Sequence, residues 1–187
     1  MSRPDTDRLA DIIAIEQNLY RYARGVDRKD WAMVRSAYHP GAWDNHGNYQ
    51  GDIEGFIASL EKRHATIVQS LHLISNVMVE FDGPDSALVE SYFTAYQRLG
   101  PEAGAARAAY VREPLGEADC VDNEVVGRYL DHVTRRDGRW RIQHRDVLFD
   151  VYRSRIVPPG EPRNPRLTFS RRDGDVLLHV RRRERGL

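Results

Sequence analysis

A single cysteine, Cys120, stands in a chain of 187 residues. One thiol cannot build an internal disulfide framework, and it leaves no thiolate cluster for zinc or an iron–sulfur centre. Lysine is almost missing too, with only Lys29 and Lys62, so the 28 basic residues are nearly all arginine, and 28 acidic residues balance them. Without a net charge there is no overall field to draw in nucleic acid or an anionic membrane, which leaves a small hydrophobic molecule as the expected partner. No apolar run approaches the ~18 residues of a membrane-spanning helix, and the opening Met-Ser-Arg-Pro-Asp-Thr-Asp has no apolar signal core. The expected location is the reducing cytoplasm. Glycine-rich phosphate loops, nucleophile elbows and metalloprotease helix motifs are also missing.

The sequence does have a hydrophobic fraction of 41%, enough for one domain with a real core. From Asp5 to about Val26 the spacing is helical: Ile12, Ile15, Leu19, Tyr22 and Val26 form a stripe that Leu9, Ile13, Tyr20 and Ala23 widen. At about 100° per residue, Asp27 falls within the arc of Leu9, Ile13 and Tyr20. A carboxylate on an apolar arc calls for an explanation. Asp30 can cap a second helix from Trp31 to Tyr38, which His39-Pro40-Gly41 ends. Trp43 to Tyr49 reads as a short strand and turn, and Asp52 caps a third helix with Phe56, Ile57, Leu60, His64 and Ile67 inside.

Beyond that helix the period changes to two. Ser70 to Phe81 and Ser86 to Leu99 read as long strands joined at Gly83-Pro84-Asp85. Strict alternation puts His72, Ile74, Asn76 and Met78 on one face of the first strand, and Tyr92, Thr94 and Tyr96 on one face of the second. Residues 100 to 120 form an irregular connection. Val121 to Arg135 and Arg139 to Val151 make a second hairpin across Asp137-Gly138. The order of three helices and then an antiparallel meander is α+β. From Ile156 four prolines fall within eight residues, and from Glu161 onward eight arginines face four acidic residues. Residues 1–155 are thus expected as one domain and 156–187 as an extended arm. Leu167, Phe169 and Val176 to Leu178 favour an arm packed on a neighbouring subunit over a nucleic-acid tail. Strands apolar on both faces, together with the arm, point to a homotrimer or homodimer.

Ile15 to Trp31, Gly51, Leu71-His72-Leu73-Ile74-Ser75-Asn76, Gly127-Arg128-Tyr129-Leu130-Asp131 and Arg136 through Ile142 to Arg145 stand in a distinctive order. Over about residues 8 to 152 the chain resembles the SnoaL-like branch of the nuclear transport factor two-like superfamily. That resemblance implies a cone-shaped α+β barrel, in which a curved, mostly antiparallel sheet wraps three helices around a pocket. The branch includes proton-abstracting lyases, such as scytalone dehydratase and bile-acid 7α-dehydratase, as well as polyketide cyclases. In those lyases an aspartate at the end of the first helix pairs with a histidine on a strand, and Asp27 and His72 match the two positions. The same resemblance nominates Tyr22 and Arg145 as further catalytic groups, with His132 and His144 as counterparts of a second histidine.

The chemistry of the residues agrees with that implication. A neutral imidazole titrating near pH ~6.5 can take a proton beside a carbonyl, and a carboxylate on its other nitrogen stabilises the imidazolium. His72 is therefore the candidate base and Asp27 its partner, with a hydroxyl from Tyr22 or Tyr49 to stabilise developing charge. Tyr49, His46, Asn76, Tyr92 and Trp43 are the candidate substrate contacts. Asp44-x-His46 with His72 offers two imidazoles and a carboxylate to a metal, but the resemblance implies cofactor-free chemistry, and neither metal nor cofactor is expected. Asp27 alone could equally end its helix against Arg24 or Arg28, and His72 alone could be a satisfied core histidine. Their joint occurrence points to an Asp–His dyad in a dehydratase-like lyase. The alternatives are a polyketide cyclase or isomerase, and a binding subunit akin to a ring-hydroxylating dioxygenase β subunit.

Overall fold

In the first helix the residues spaced three and four apart from Ile15 onward pack inward, and most of those between them face solvent. α1 (Thr6–Asp27) buries Ile15, Leu19, Tyr22, Ala23 and Val26, whereas Leu9, Ile13 and Tyr20 are exposed. The wider arc expected from the sequence is therefore corrected: Asp27 reaches the interior as the last residue of α1, one turn beyond buried Ala23. Gly25 stays helical. A Cβ there would sit 2.9 Å from Val34, so its absence lets α2 (Trp31–Ser36) pack closely on α1. Asp30 caps α2 by accepting from the Met33 N–H at 2.9 Å. The structure, a computed structural model, describes residues 6–160, 164–167 and 176–187.

Tyr38 does not belong to α2, as the sequence suggested, but opens β1 (Tyr38–Asn45), which lies parallel to a later strand. Pro40 and Gly41 fall where the register shifts, so proline's missing N–H breaks no ladder bond. β2 (Gln50–Asp52) returns antiparallel to β1. Asp52 then caps α3 (Ile53–His64), accepting from the Gly55 N–H at 2.8 Å. β3 (Ile67–Phe81), β4 (Ser86–Leu99), β5 (Cys120–Arg136) and β6 (Arg139–Val157) follow as an antiparallel meander. Asp137 and Gly138, both at positive φ, form the two-residue turn before β6. A 3-10 segment over Pro101–Tyr110 joins β4 to β5.

The sheet order is β2-β1-β6-β5-β4-β3, and β2 does not pair with β3. The fold is thus an α+β cone built on a curved, unclosed mixed sheet. A flat strand of β6's 19 residues would span ~60 Å at about 3.3 Å per residue, far more than this core needs. Bulges bend it. Gln143 and Asp150 are extra residues on β6, and Asn76, at φ +48°, lies in a bulge on β3. Each extra residue reverses which side chains face inward.

Two boundaries differ from expectation in the last part of the chain. β6 runs to Val157, past the expected start of the arm at Ile156, and α4 (Val176–Arg183) is helical rather than extended. Of the apolar arm residues, Leu167 is exposed, and Phe169 lies outside the described residues. Among the described residues no helix is long and apolar enough to cross a membrane.

Candidate active site

Asp27 closes α1 against β3, and its carboxylate holds one residue of that strand twice. Oδ1 accepts from Nδ1 of His72 at 2.6 Å and from the Ser70 hydroxyl at 3.0 Å, while Oδ2 accepts from the His72 backbone N–H at 2.9 Å. Because an ionised carboxylate only accepts, Nδ1 carries a proton and Nε2 is left with the lone pair in the neutral ring. The two side chains are 14% and 8% exposed. His72 lines a cavity of about 360 Å³ together with Tyr22, Val26, Phe56, Leu60 and Phe93. A ring gripped through both its nitrogen and its own backbone has little rotational freedom left to lose on binding a guest.

A second carboxylate–imidazole pair borders the same cavity. Asp44, fully buried on β1, accepts from Nδ1 of His46 at 2.5 Å and from the Tyr38 hydroxyl at 2.6 Å. Burial works against the Asp44 charge, but His46 and Arg145 outweigh it and hold the carboxyl below its ordinary value. His46 stacks on Phe56 with ring centroids 4.6 Å apart, and its Nε2 lies 3.4 Å from the Tyr22 hydroxyl. Sequence reading paired Asp44 and His46 only as metal ligands. In the structure the carboxylate is bonded to the imidazole and to Tyr38, and among the described residues no three His, Cys, Asp or Glu side chains converge as a metal site.

Tyr22 lines the cavity, and burial pushes its phenol well above the ordinary value. Arg145 does not reach the cavity. The bulge at Gln143 turns it inward, where it is fully buried and makes two bonds, of 2.7 and 2.6 Å, to Asp131. Burial opposes the guanidinium charge, and the Asp131 carboxylate overcomes this to raise its pKa well above the usual value. The cation lies 4.3 Å from the Tyr22 ring centroid and 4.0 Å from that of Tyr129. Arg145 therefore supports two rings of the cavity wall instead of touching a guest, which corrects its expected place among the catalytic groups.

Of the other expected contacts, His46 and Tyr49 line the cavity, although Tyr49 gives its hydroxyl proton to the Asp52 carbonyl at 2.9 Å. Three others do not. Asn76 is exposed because the bulge it forms reverses the alternation after Ile74, so that Val77 and Val79 follow His72 inward. Tyr92 lies on the outer face of β4 beneath Arg128, since the inward set is Ser91, Phe93, Ala95 and Gln97. Trp43 is 46% exposed because Ala42 and Asp44 take the inward positions of β1. His132 bonds Ser86, and His144 bonds Asp146, both away from the cavity.

Sequence reading missed Tyr129, Asp131, Arg63 and Gln97. Arg63 donates to Gln97 at 2.5 Å on the cavity wall, and Tyr110 of the 3-10 segment stacks on Tyr152 at 5.9 Å. Asp131 carried a usable signal, as an aspartate in phase with Val125, Tyr129 and Val133 on β5. The bulge at Asp150 puts both Phe149 and Tyr152 at the cavity, which no alternation rule would have found.

A family model described as a SnoaL-like domain matches residues 7–146. No curated protein matches the chain. Among solved structures, the chain is similar to a "Putative Scytalone Dehydratase" from Novosphingobium aromaticivorans DSM 12444, with 20% identity, a TM-score of 0.65, and coverage of 85% of this chain and 100% of that one. It is also similar to a hexachlorocyclohexane dehydrochlorinase (LinA) Type2, with 17% identity, a TM-score of 0.66, and coverage of 88% and 100%. A "Putative Aromatic Ring Hydroxylase" from Novosphingobium aromaticivorans DSM gives 18% identity, a TM-score of 0.63, and coverage of 82% and 96%. At these identities the likenesses establish a shared fold.

Proposed function

The chain belongs to the SnoaL-like domain family, and from that premise we propose that it is a cofactor-independent lyase eliminating water or another leaving group from a small hydrophobic, carbonyl-bearing substrate. The observation that carries this reading is the 2.6 Å bond from His72 to Asp27 at the wall of a cavity large enough for such a molecule. His72 Nε2 takes the proton beside the carbonyl, Asp27 fixes the tautomer and stabilises the imidazolium, and the Tyr22 hydroxyl stabilises the oxygen that gains charge. Two neighbours named for elimination chemistry, the dehydratase and the dehydrochlorinase, support the reaction class. The test is a panel of β-hydroxy ketones and steroid-type alcohols assayed for the unsaturated product. Turnover that disappears in His72→Ala supports the reading, and turnover by neither protein counts against it.

A polyketide cyclase or isomerase would use the same dyad, and ring-closed or isomerised products from the panel would identify it. A further reading is a non-catalytic binding subunit akin to a ring-hydroxylating dioxygenase β subunit. Copurification with a large iron-containing chain would establish it. Leu71, Leu73 and, two strands beyond Thr94, Val151 are exposed on the outer face of the sheet, which supports a homotrimer or homodimer. Sedimentation checks the assembly, and cell fractionation checks the cytoplasmic location.

A further inference from the structure

We propose that His46 is a second catalytic residue, the general acid that protonates the departing oxygen, and that the substrate's leaving group is a hydroxyl, which makes the reaction a dehydration. This rests on the reading of His72 as the base and adds the other half of the proton balance. A halide or carboxylate leaves without a proton, whereas hydroxide at neutral pH needs one. A site built only for the former would have no use for a second oriented imidazole.

The two carboxylate–imidazole pairs are not equivalent. Asp27 receives a backbone N–H and a serine hydroxyl besides the His72 ring. Asp44 is fully buried and has one phenol and one imidazole as its bonded partners. A buried carboxylate needs a counter-charge; Arg145, itself bonded twice to Asp131, supplies part of it from a distance, and the His46 ring is bonded to the carboxylate directly. Among the titratable neighbours, Tyr22, Tyr38 and Tyr129 are phenols raised by burial, Tyr49 is a phenol raised likewise, and the Asp131 carboxyl lies within electrostatic reach of His46. Two imidazoles, each held at Nδ1 by a carboxylate, thus line one cavity, and they supply the two proton-transfer positions, one acid and one base, that an elimination requires. His46 is also aimed: Phe56 fixes its plane, and its Nε2 borders the cavity beside the Tyr22 hydroxyl at 3.4 Å, a long contact that a substrate oxygen can replace.

In the reaction His72 Nε2 takes the carbon-bound proton, and the C–H electron pair becomes the new double bond. The C–O bond breaks with its electrons on oxygen, and the Nε2–H of His46 turns that oxygen into water. His72 ends as the imidazolium and His46 neutral, and solvent returns the proton from one to the other. Nothing is consumed beyond the substrate.

The experiment compares β-hydroxycyclohexanone with its acetate ester, both giving cyclohexenone, in the wild type, His46→Gln and His72→Gln. General-acid assistance amounts to ~10²–10⁴-fold, so His46→Gln should lose at least ~100-fold on the alcohol and under ~10-fold on the acetate, while His72→Gln loses both. Equal losses on both substrates, or none, in His46→Gln overturn the assignment of His46. Full turnover of both by His72→Gln overturns the base reading instead. Nitrogen NMR of isotope-labelled histidine in the wild type decides the matter without a substrate. His46 should be doubly protonated at a neutral pH where His72 carries one proton, and a neutral His46 there would contradict the proposal.

Discussion

Oδ1 of Asp27 and Nδ1 of His72 lie 2.6 Å apart across 45 residues of sequence, the first at the end of a helix and the second inside a strand. The same carboxylate also holds the His72 backbone N–H, so the bond fixes the helix end to the strand as well as orienting the ring.

Asp27→Asn should keep the fold and lose the chemistry. An amide offers an N–H to Nδ1 and favours the wrong tautomer, so the kcat of an active panel compound should fall ~10²–10⁴-fold. Steady-state kinetics alongside circular dichroism check both halves of this expectation.

Arg145 and Asp131 form a fully buried ion pair under two aromatic rings. Arg145→Met leaves an uncompensated buried carboxylate and should destabilise the protein by roughly 3–5 kcal/mol. The double variant Arg145→Met with Asp131→Leu should recover most of that loss. Urea unfolding of the two single variants and the double gives the coupling directly.

Asn76 sits at φ +48°, a region that β-branched residues avoid. Asn76→Val should cost about 1–3 kcal/mol in thermal or urea unfolding, whereas Asn76→Gly should be close to neutral. Since this bulge sets the inward phase of Val77 and Val79, Asn76→Val should also depress turnover without touching the cavity.

The Asp44 carboxyl is held below its ordinary value, with burial opposing and His46, Arg145 and the Tyr38 hydroxyl prevailing. A folded pKa below the unfolded one means that the contribution to stability is present above the unfolded pKa of ~3.9 and is lost as pH falls through the folded value. The stability difference between wild type and Asp44→Asn should therefore shrink as the pH falls below about pH 4. Urea unfolding of both proteins over a pH series measures it.

Much of the fold was legible because its signals are local. Asp52 before Ile53, Asp137-Gly138 between alternating runs, and the apolar spacing of Ile15, Leu19, Tyr22 and Val26 each act within a few residues. Asp27 and His72 could be brought together through the family resemblance. The sequence did not reveal the bulges. An extra residue such as Gln143, Asp150 or the one at Asn76 leaves no mark on an alternation pattern, yet it reverses every position that follows. That is why Asn76 was expected beside His72, whereas Arg145 was expected at the cavity through the resemblance alone. Asp44 and His46 were legible as residues but not as a pair, since a buried carboxylate bonded to its second neighbour in a strand looks the same in sequence as two metal ligands.

Turnover of an active β-hydroxy ketone by His72→Ala tests the central claim most directly. With the variant's melting temperature matched to that of the wild type, the account predicts a loss of ~10²–10⁴-fold in kcat. Full turnover by the variant would contradict it.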